Sequence, residues 1–190
     1  NKDHGNGSRQ TAVFQLFPVP GRDEIGVNAT RIRVNTFTEE AVKKGYEEAR
    51  SQIEPVIEYI KAEVAGCENA YLKKVAPILG SRLHRAIKGN YTLTKEDVFN
   101  GAYFKDGVTM CCYPSDRQLK EEGTDYFTIG ASGYYEIPYS SMVTNKCSYA
   151  IACGKSISAD EYAYASLRVV PTVMATGEIA GIAAALSLDK

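Results

Sequence analysis

Residues 148–188 read SYAIACGKSISADEYAYASLRVVPTVMATGEIAGIAAALSL. The last part of this stretch predicts a helix that begins at about Val170, with Pro171 at the first helical position, where a missing N–H costs nothing. Val170 then stands where a capping Ser, Thr, Asp or Asn is preferred, so the amides of residues 172–174 have no evident side-chain acceptor. An uncapped helix start of this kind can bind a ligand oxygen that carries negative charge.

The interior of the predicted helix has one face that is almost free of side chains. Its small residues, at spacings of three, one and three, are Gly177, Ala180, Gly181 and Ala184. Such a face permits close approach of another backbone, and it suits either packing on a sheet or contact with a bound cofactor. Ser148–Cys153 predicts a short buried strand that ends at Gly154, so the segment is interpreted as strand, turn and helix.

The most regular periodicity in the chain lies between Thr38 and Val64. Apolar residues recur there along one helical stripe, at Val42, Tyr46, Ala49, Ile53, Ile57, Ile60 and Val64. Thr38 can cap this helix and Gly66 can end it. Pro55 cannot donate a backbone hydrogen bond, so we predict a kink or a break there.

Shorter elements surround this helix. Residues 11–17 and 31–34 have the β-branched and alternating patterns of two strands joined by a long turn. Thr94 predicts the cap of a short helix. Two β-rich stretches, at 126–129 and 134–137, flank the turn sequence GASG and predict a hairpin. We therefore predict an α+β chain with a mixed β-sheet, a long kinked helix, and a C-terminal strand and helix.

Composition and charge exclude several classes of partner. The 190 residues include 22 Lys and Arg against 23 Asp and Glu, for a formal net charge of −1. Proteins that follow a nucleic-acid backbone usually carry a basic excess, so we predict no nucleic-acid partner. No uninterrupted apolar run reaches the roughly 18–20 residues of a bilayer span, so we predict no membrane partner. Residues 1–10 are polar and predict a frayed tail.

Metal binding and triad hydrolysis are also disfavoured by the sequence. The five cysteines do not stand at zinc-ligand spacings, and the vicinal pair Cys111 and Cys112 cannot hold a metal as a C-x-x-C pair does. We expect reduced thiols, mostly buried as small apolar groups. The only histidines are His4 and His84, and the chain lacks a G-x-S-x-G elbow. We predict no metal site and no hydrolase triad.

Several short motifs follow one another in a characteristic order along the chain. In the C-terminal part they are Gly154-Lys155, then SISA at 156–159, SLRVVPTVMATG at 166–177 and IAGIAAA at 179–185. Upstream they are Leu79-Gly80-Ser81-Arg82, Arg85, Gly89, Tyr91, Leu93-Thr94, Asp97-Val98, Tyr113-Pro114, Asp116 and Ile137-Pro138-Tyr139. In this order they resemble the FAD-dependent oxidoreductase family, which is related in architecture to glutathione reductase and fumarate reductase. The resemblance spans about residues 12–188.

The resemblance implies an FAD site of which this sequence supplies only a part. A Rossmann-type site needs a strand, a G-x-G-x-x-G turn and a helix, and no such run occurs in the sequence. We expect the part of the site that binds adenine and pyrophosphate to lie on a missing N-terminal segment of the same parent chain. That segment would then be a partner of residues 1–190. Residues 1–10 would be a tail, 11–147 the substrate domain, and 148–190 the last strand and helix of an incomplete FAD-binding domain.

The resemblance also implies which residues lie near the flavin and its ribityl chain. They are Gly154, Lys155, Ser158, Arg168, Pro171 and Thr172. Lys155 stands where the family commonly has Arg, which keeps the charge but loses the planar fork that grips oxygens bidentately. The predicted helix start agrees with this placement, because its partial positive charge stabilises negative charge on the flavin.

For the substrate, a small organic molecule, the resemblance suggests Arg82, Arg85 and Tyr91 as binding residues. The two arginines share a face if their stretch is helical, and they could then clamp a carboxylate or sugar hydroxyls. The proton transfer that accompanies hydride transfer has more candidates. They are Tyr113, Asp116 and Tyr139, and no spacing selects among them.

Two functions from different classes remain open at this point. In the first, the chain is the C-terminal portion of an FAD-dependent oxidoreductase and is inactive when excised. In the second, it is a non-catalytic binding or structural module that shares the architecture, with carbohydrate as a candidate ligand. In either case we expect the C-terminal helix to leave apolar surface exposed or covered by a second copy in a homodimer.

Overall fold

The computed structural model describes residues 15–32, 38–80, 82, 85–118 and 124–188. The chain divides into two compact units, a smaller unit of residues 12–81 and a larger unit of residues 1–11 and 82–190. The predicted tail at 1–10 lies outside the described residues. The predicted division at residue 147 concerns the architecture of a longer protein and stays a prediction.

The smaller unit begins with an antiparallel hairpin of strands β1 (Gln15–Pro18) and β2 (Ile25–Asn28). The first strand overlaps the predicted one, of which residues 11–14 lie outside the described residues. The second strand lies before the predicted 31–34, of which residues 33 and 34 are also outside the described part. The backbone of Arg31 is bonded differently: its N–H donates to Gln52 Oε1 at 2.9 Å, and its C=O accepts from Gln52 Nε2 at 2.8 Å. These bonds to a side chain take the place of a strand ladder at Arg31.

The predicted long helix is present and is divided into α1 (Glu39–Ser51) and α2 (Ile53–Glu63). Thr38 caps α1, because its side chain accepts a hydrogen bond from the third amide of the helix. The break is at Gln52, three residues before Pro55. Since α2 starts at Ile53, Pro55 lies in a first turn, where a missing N–H removes no intrahelical bond.

The larger unit contains four short strands in antiparallel pairs. They are β3 (Gly107–Cys111), β4 (Ser115–Gln118), β5 (Thr124–Phe127) and β6 (Tyr135–Pro138). Strand β3 pairs with β6, and β4 pairs with β5. The α+β class is confirmed, but the described strands form separate two-stranded antiparallel sheets rather than one mixed sheet.

The predicted hairpin between 126–129 and 134–137 is wrong, because β5 and β6 pair with different strands. The GASG turn does form, with the Gly133 N–H donating to Gly130 O at 2.9 Å. Gly130 lies against the preceding backbone so closely that a Cβ there would be 2.6 Å from Phe99 O. Gly130 is thus packed on the backbone of Phe99, and the strands before and after the turn pair with different partners.

The predicted strand at Ser148–Cys153 is also wrong. Tyr149 is 92% exposed, and residues 148–150 carry no regular structure that pairs with another strand. A single backbone bond, from Ala152 N to Met142 O at 2.8 Å, attaches this stretch to the unit. Because residues 148–150 are exposed and unpaired, this segment does not form the buried strand that its apolar residues predicted.

Three helices complete the larger unit: α3 (Lys95–Asn100), α4 (Glu161–Leu167) and α5 (Val170–Ser187). The predicted cap of α3 is confirmed, since Thr94 and Asp97 form a capping box. Helix α4 was not anticipated. Asp160 begins it, with Oδ1 accepting from the amides of Tyr162 and Ala163, and its Oδ2 accepts from the first amide of α3 at 2.8 Å.

The core of the larger unit lies between β3, β6 and α4. Its buried residues are Leu93, Val98, Cys111, Tyr135, Ile137, Met142, Ile157, Ala163 and Leu167. All five cysteines are free thiols, as expected. The expectation that most of them are buried is wrong: only Cys111 is buried, whereas Cys112 and Cys153 are exposed because they lie outside this cluster.

Helix α5 packs on β3 and on the 3-10 turn Gly154–Ser156, and its buried residues are Thr172 and Thr176. Its large exposed side chains are Val170, Met174, Ile182 and Leu186. Of the described helices, α5 alone is long and apolar enough to cross a membrane by length and composition, although threonines and Glu178 interrupt its apolar run. Helices of the same length and composition also occur packed against other parts of a protein, so these two properties alone do not assign α5 to a membrane.

We predict that Asp160→Ala destabilises the larger unit by about 2 kcal/mol or more, because one carboxylate serves the first turns of two helices. Denaturant unfolding of the 190-residue chain measures the loss. Glu96→Ala, an exposed acidic position in the first turn of α3, is the matched control and should stay within about 0.5 kcal/mol of the unchanged chain. Equal effects of the two substitutions would contradict the assigned role.

Candidate functional site

The start of α5 is uncapped and exposed. Its N-cap is Val169, which makes no side-chain cap bond, and the first helical bond joins Val173 N to Val169 O at 3.0 Å. The cap position is therefore one residue earlier than predicted, and Pro171 is the second helical residue. The amides that precede the first helical bond are those of Val170 and Thr172, since proline has none. The prediction that the amides without a helical partner are those of residues 172–174 is therefore wrong in part, since the structure gives Val170 and Thr172.

This helix start carries no compensating negative charge of its own. The first turn contains no acidic side chain, and Val170 is 67% exposed. The aligned peptide dipoles give the N-terminus of a helix a partial positive charge of roughly half an elementary charge. The arrangement can therefore stabilise an anionic or electron-rich group that approaches the first turn.

Thr172 contributes to this site through its backbone, because its side chain faces the interior. Thr172 is 5% exposed, and its hydroxyl donates to Cys111 Sγ at 3.4 Å. One turn later, Thr176 Oγ1 accepts a 2.9 Å bond from the Gly154 amide and donates to backbone carbonyls of α5. Gly154 has φ +61°, which favours glycine, and it is thereby fixed beside the helix.

The contact at Cys111 extends into a buried polar network. Ser166 Oγ lies 3.6 Å from Cys111 Sγ and 3.0 Å from the Tyr135 hydroxyl. It also donates to the backbone oxygen of Tyr113 at 2.5 Å. Burial raises the pKa of Tyr135 well above its usual value. We call Cys111, Tyr135, Ser166, Thr172 and Thr176 the hydroxyl–thiol network.

A second group of polar side chains lies on the other side of Ser166. Arg168 Nη2 contacts Asp116 Oδ1 at 2.5 Å, and the two side chains are 17% and 28% exposed. Asp116 is on β4, directly opposite Tyr126 on β5. We define the arginine–tyrosine cluster by its residues Arg82, Tyr113, Asp116, Tyr126, Tyr164 and Arg168.

Electrostatic effects show that this cluster acts as a unit. Burial raises the pKa of Tyr113, and the negative charge of Asp116 raises it further. The positive charges of Arg168 and Arg82 act in the opposite direction on the same hydroxyl. Of the predicted residues, the structure thus brings together one substrate candidate, one cofactor candidate and two proton-transfer candidates.

Tyr164 belongs to the same cluster and was missed by the sequence analysis. Burial raises its pKa, against the positive charges of Arg168 and Arg82. Its hydroxyl oxygen is shielded from solvent and has no hydrogen-bond partner within the described part of the chain. Arg168 follows Tyr164 by four residues and donates its amide N–H to the Tyr164 carbonyl at 3.3 Å. In the sequence, only the four-residue spacing of Tyr164 and Arg168 could have indicated that the two residues lie together.

Other predicted residues have structural partners. Ser158 is buried, and its hydroxyl lies 2.9 Å from Thr92 Oγ1. The Tyr91 hydroxyl donates to Asp97 Oδ2 at 2.8 Å, and burial together with this bond raises the pKa of Tyr91 to about 12. Tyr139 lies in the 3-10 turn Tyr139–Ser141 and packs against the core. Their binding or catalytic roles stay predictions.

The remaining predicted residues are exposed to solvent. Lys155 is on the Gly154–Ser156 turn, and Pro171 is at the start of α5. Arg85 begins a stretch without helical structure, and its neighbours 83 and 84 lie outside the described residues. The shared helical face that would align Arg82 with Arg85 is therefore not seen at the residues that the structure describes.

Two further observations limit what else the surface can bind. A shallow depression of about 190 Å³ is lined by Cys112, Pro114, Thr128, Ile129 and Gly133. It includes none of the predicted site residues. No group of three or more His, Cys, Asp or Glu side chains converges in a metal-binding arrangement among the described residues.

The uncapped start of α5, with the Gly154 turn bonded to the helix, has a partial positive charge that favours an anionic or electron-rich group. The comparison with protein families is more specific, because the model of the FAD dependent oxidoreductase family matches residues 2–190. The chain therefore belongs to the FAD dependent oxidoreductase family, which confirms the resemblance seen in its motifs. No curated protein and no solved structure matched the chain.

The residues present fit one part of an FAD molecule. The free amides and the absence of acidic groups in the first turn of α5 suit the electron-rich edge of the flavin. The sequence has no strand–G-x-G-x-x-G–helix unit for the pyrophosphate. The fit therefore concerns the flavin end of the cofactor.

We predict that Thr176→Val destabilises the chain more than Thr172→Val does. The first substitution leaves the Gly154 amide without its acceptor, at a cost of about 1–3 kcal/mol, whereas the second removes only a weak bond to sulfur, at less than about 1 kcal/mol. Valine keeps the shape of threonine in both variants. Urea unfolding of both proteins measures the order, and the reverse order would contradict the network as described.

Proposed function

We propose that this chain is the C-terminal portion of an oxidoreductase that transfers hydride between a small organic substrate and FAD. The membership of the family supports flavin-dependent oxidoreductase chemistry in general. The observation that carries the proposal is the exposed, uncapped start of α5 beside the Gly154 turn. A helix start of this kind can stabilise negative charge on a bound flavin.

The residues at the α5 start would hold the flavin end of the cofactor. The amides of Val170 and Thr172 would donate to its electron-rich edge, and Gly154, Lys155 and Ser158 would border the ribityl chain. FAD supplies the hydride acceptor or donor when it is bound. The helix dipole makes added negative charge at this edge more favourable, which raises the driving force for accepting electrons.

The arginine–tyrosine cluster would bind the substrate and carry out the proton transfer that accompanies hydride transfer. Tyr113 is 37% exposed, and burial together with the negative charge of Asp116 raises its pKa above a usual value that already lies well above neutral pH. Arg82 and Arg168 oppose this shift and make the hydroxyl a better donor than burial alone would allow. Among the proton-transfer candidates, Tyr113 is therefore the residue that we propose, with Asp116 orienting Arg168.

We further propose that an N-terminal segment of the parent protein covers α5 and completes the FAD site. Two observations support this: the sequence lacks the G-x-G-x-x-G unit, and α5 exposes Val170, Met174, Ile182 and Leu186. In folded proteins, a large apolar surface is usually covered by another segment or by a partner. A second copy of the chain is the other occupant that we expected, and it would give a homodimer.

We predict that the intact gene product that contains this chain shows the visible absorption bands of bound FAD. The 190-residue chain incubated with FAD should retain none after gel filtration, because it lacks the pyrophosphate site. A colourless intact protein that cannot be reconstituted with FAD would overturn the proposal and favour a non-catalytic binding module. Sedimentation of the 190-residue chain tests what covers the exposed face of α5. A stable dimer would favour a second copy of the chain over the N-terminal segment.

We predict opposite effects of Val170→Asp on stability and on the cofactor. In the 190-residue chain, the new carboxylate at the first helical position should stabilise by about 0.3–1 kcal/mol. In the intact protein the same charge should weaken FAD binding and lower the flavin reduction potential, because it opposes negative charge at the same place. Val170→Asn is the neutral control. An unchanged potential and affinity in Val170→Asp would show that the flavin does not lie at this helix start.

A further inference from the structure

We propose that the Tyr164 hydroxyl, together with Arg82 and Arg168, forms a subsite that binds a carboxylate group of the substrate. The proposal rests on the proposed function, because it names the chemical class of the molecule that the arginine–tyrosine cluster binds. It adds Tyr164 as a substrate-binding residue, a position to which neither the sequence motifs nor the family comparison assigns a role.

The unpartnered hydroxyl of Tyr164 is the first observation. Its oxygen is shielded from solvent, and no described residue accepts or donates a bond to it. Buried polar groups in native proteins nearly always have a partner, because a buried group without one loses its hydration and receives nothing in return. We infer that a bound ligand supplies the partner that the described residues do not.

The charges around this hydroxyl indicate what kind of ligand fits. The positive charges of Arg168 and Arg82 both act on Tyr164, as they do on Tyr113. A tyrosine O–H is a donor, and a guanidinium carries five donors and no acceptor. The missing group is therefore an acceptor, and one with negative charge is favoured over a neutral one.

Other members of the cluster are exposed to solvent. Tyr113 is 37% exposed, Tyr126 is 41% exposed, and Arg82 is also exposed. The Arg168 side chain, at 17% exposure, is held by Asp116 through Nη2. One oxygen of Asp116 uses only part of the guanidinium, so Arg168 is fixed in place and still has donors for a second acceptor.

The same ion pair favours a carboxylate over a phosphate. Asp116 adds a negative charge beside the cluster, and this charge repels a phosphate group, which concentrates up to two negative charges in one place, more strongly than a single carboxylate group, which carries one. A planar carboxylate also matches the planar guanidinium, since both oxygens can be contacted in one plane. The acceptor that we assign is therefore a carboxylate of a small organic molecule.

The test uses calorimetric titration of the flavin-free 190-residue chain with succinate, with its neutral diamide succinamide, and with inorganic phosphate. We expect saturable binding of succinate, and binding of succinamide and phosphate that is weaker by about tenfold or more. Tyr164→Phe should weaken succinate binding by about tenfold. Tyr149→Phe, at a side chain that is 92% exposed, is the matched control and should bind succinate unchanged.

Thermal melting separates a binding role from a structural one. Because the hydroxyl has no partner in the described chain, Tyr164→Phe should melt at the same temperature as the unchanged chain or higher, in the absence of succinate. A structural hydroxyl would give a lower melting temperature. A variant that binds succinate more weakly but is at least as stable is the signature that supports the proposal.

Four results would each overturn this proposal. They are the absence of saturable succinate binding, succinamide or phosphate that binds as tightly as succinate, unchanged affinity in Tyr164→Phe, and a lower melting temperature of that variant. None of these measurements involves FAD. A failure here therefore leaves the flavin absorption of the intact protein as an independent result, and a colourless intact protein would leave the carboxylate subsite standing.

Discussion

The position of α5 depends on the hydrogen bonds of two threonines. Most helices are fixed by an apolar stripe, but α5 has no distinct one, and its buried residues are Thr172 and Thr176. Ile179 and Ala180 pack against the core, and hydrogen bonds add to this contact. The Gly154 amide donates to Thr176 Oγ1, a bond that is costly to lose in a buried setting, and Thr172 adds a weaker bond to the Cys111 sulfur. They fix where the free amides of the helix start point.

The hydroxyl–thiol network also couples the two halves of the candidate site. Ser166 is its central residue, and it bonds to the backbone of Tyr113, a member of the arginine–tyrosine cluster. Ser166 lies on α4, which also carries Tyr164 and ends at Arg168. One short helix therefore positions the start of α5 and the basic groups of the cluster. The cap that Asp160 provides to α4 thus matters to the site as well as to the fold.

The sequence predicted those features that depend on neighbours in the chain. Periodicity and capping located α1, α2 and α3, and the α5 start was predicted within one residue. Strand pairing depends on distant segments, so the hairpin at 126–137 was predicted wrongly although its turn forms. The roles of Cys111 and Tyr164 arise only where β3, α4 and α5 meet. A resemblance to a family could place Thr172 near the cofactor, but it could not show that its hydroxyl faces Cys111.

The unsatisfied groups of the larger unit are concentrated at the proposed site. The other two α-helices described in the larger unit have side-chain caps: Thr94 and Asp97 cap α3, and Asp160 caps α4 with two amide bonds. At the proposed site, α5 starts without a cap, and Tyr164 has a buried hydroxyl without a partner. A generally loose fold would scatter such defects. Their confinement to α5 and to the end of α4 is the pattern expected where a ligand completes the structure, because stability is given up locally at functional sites.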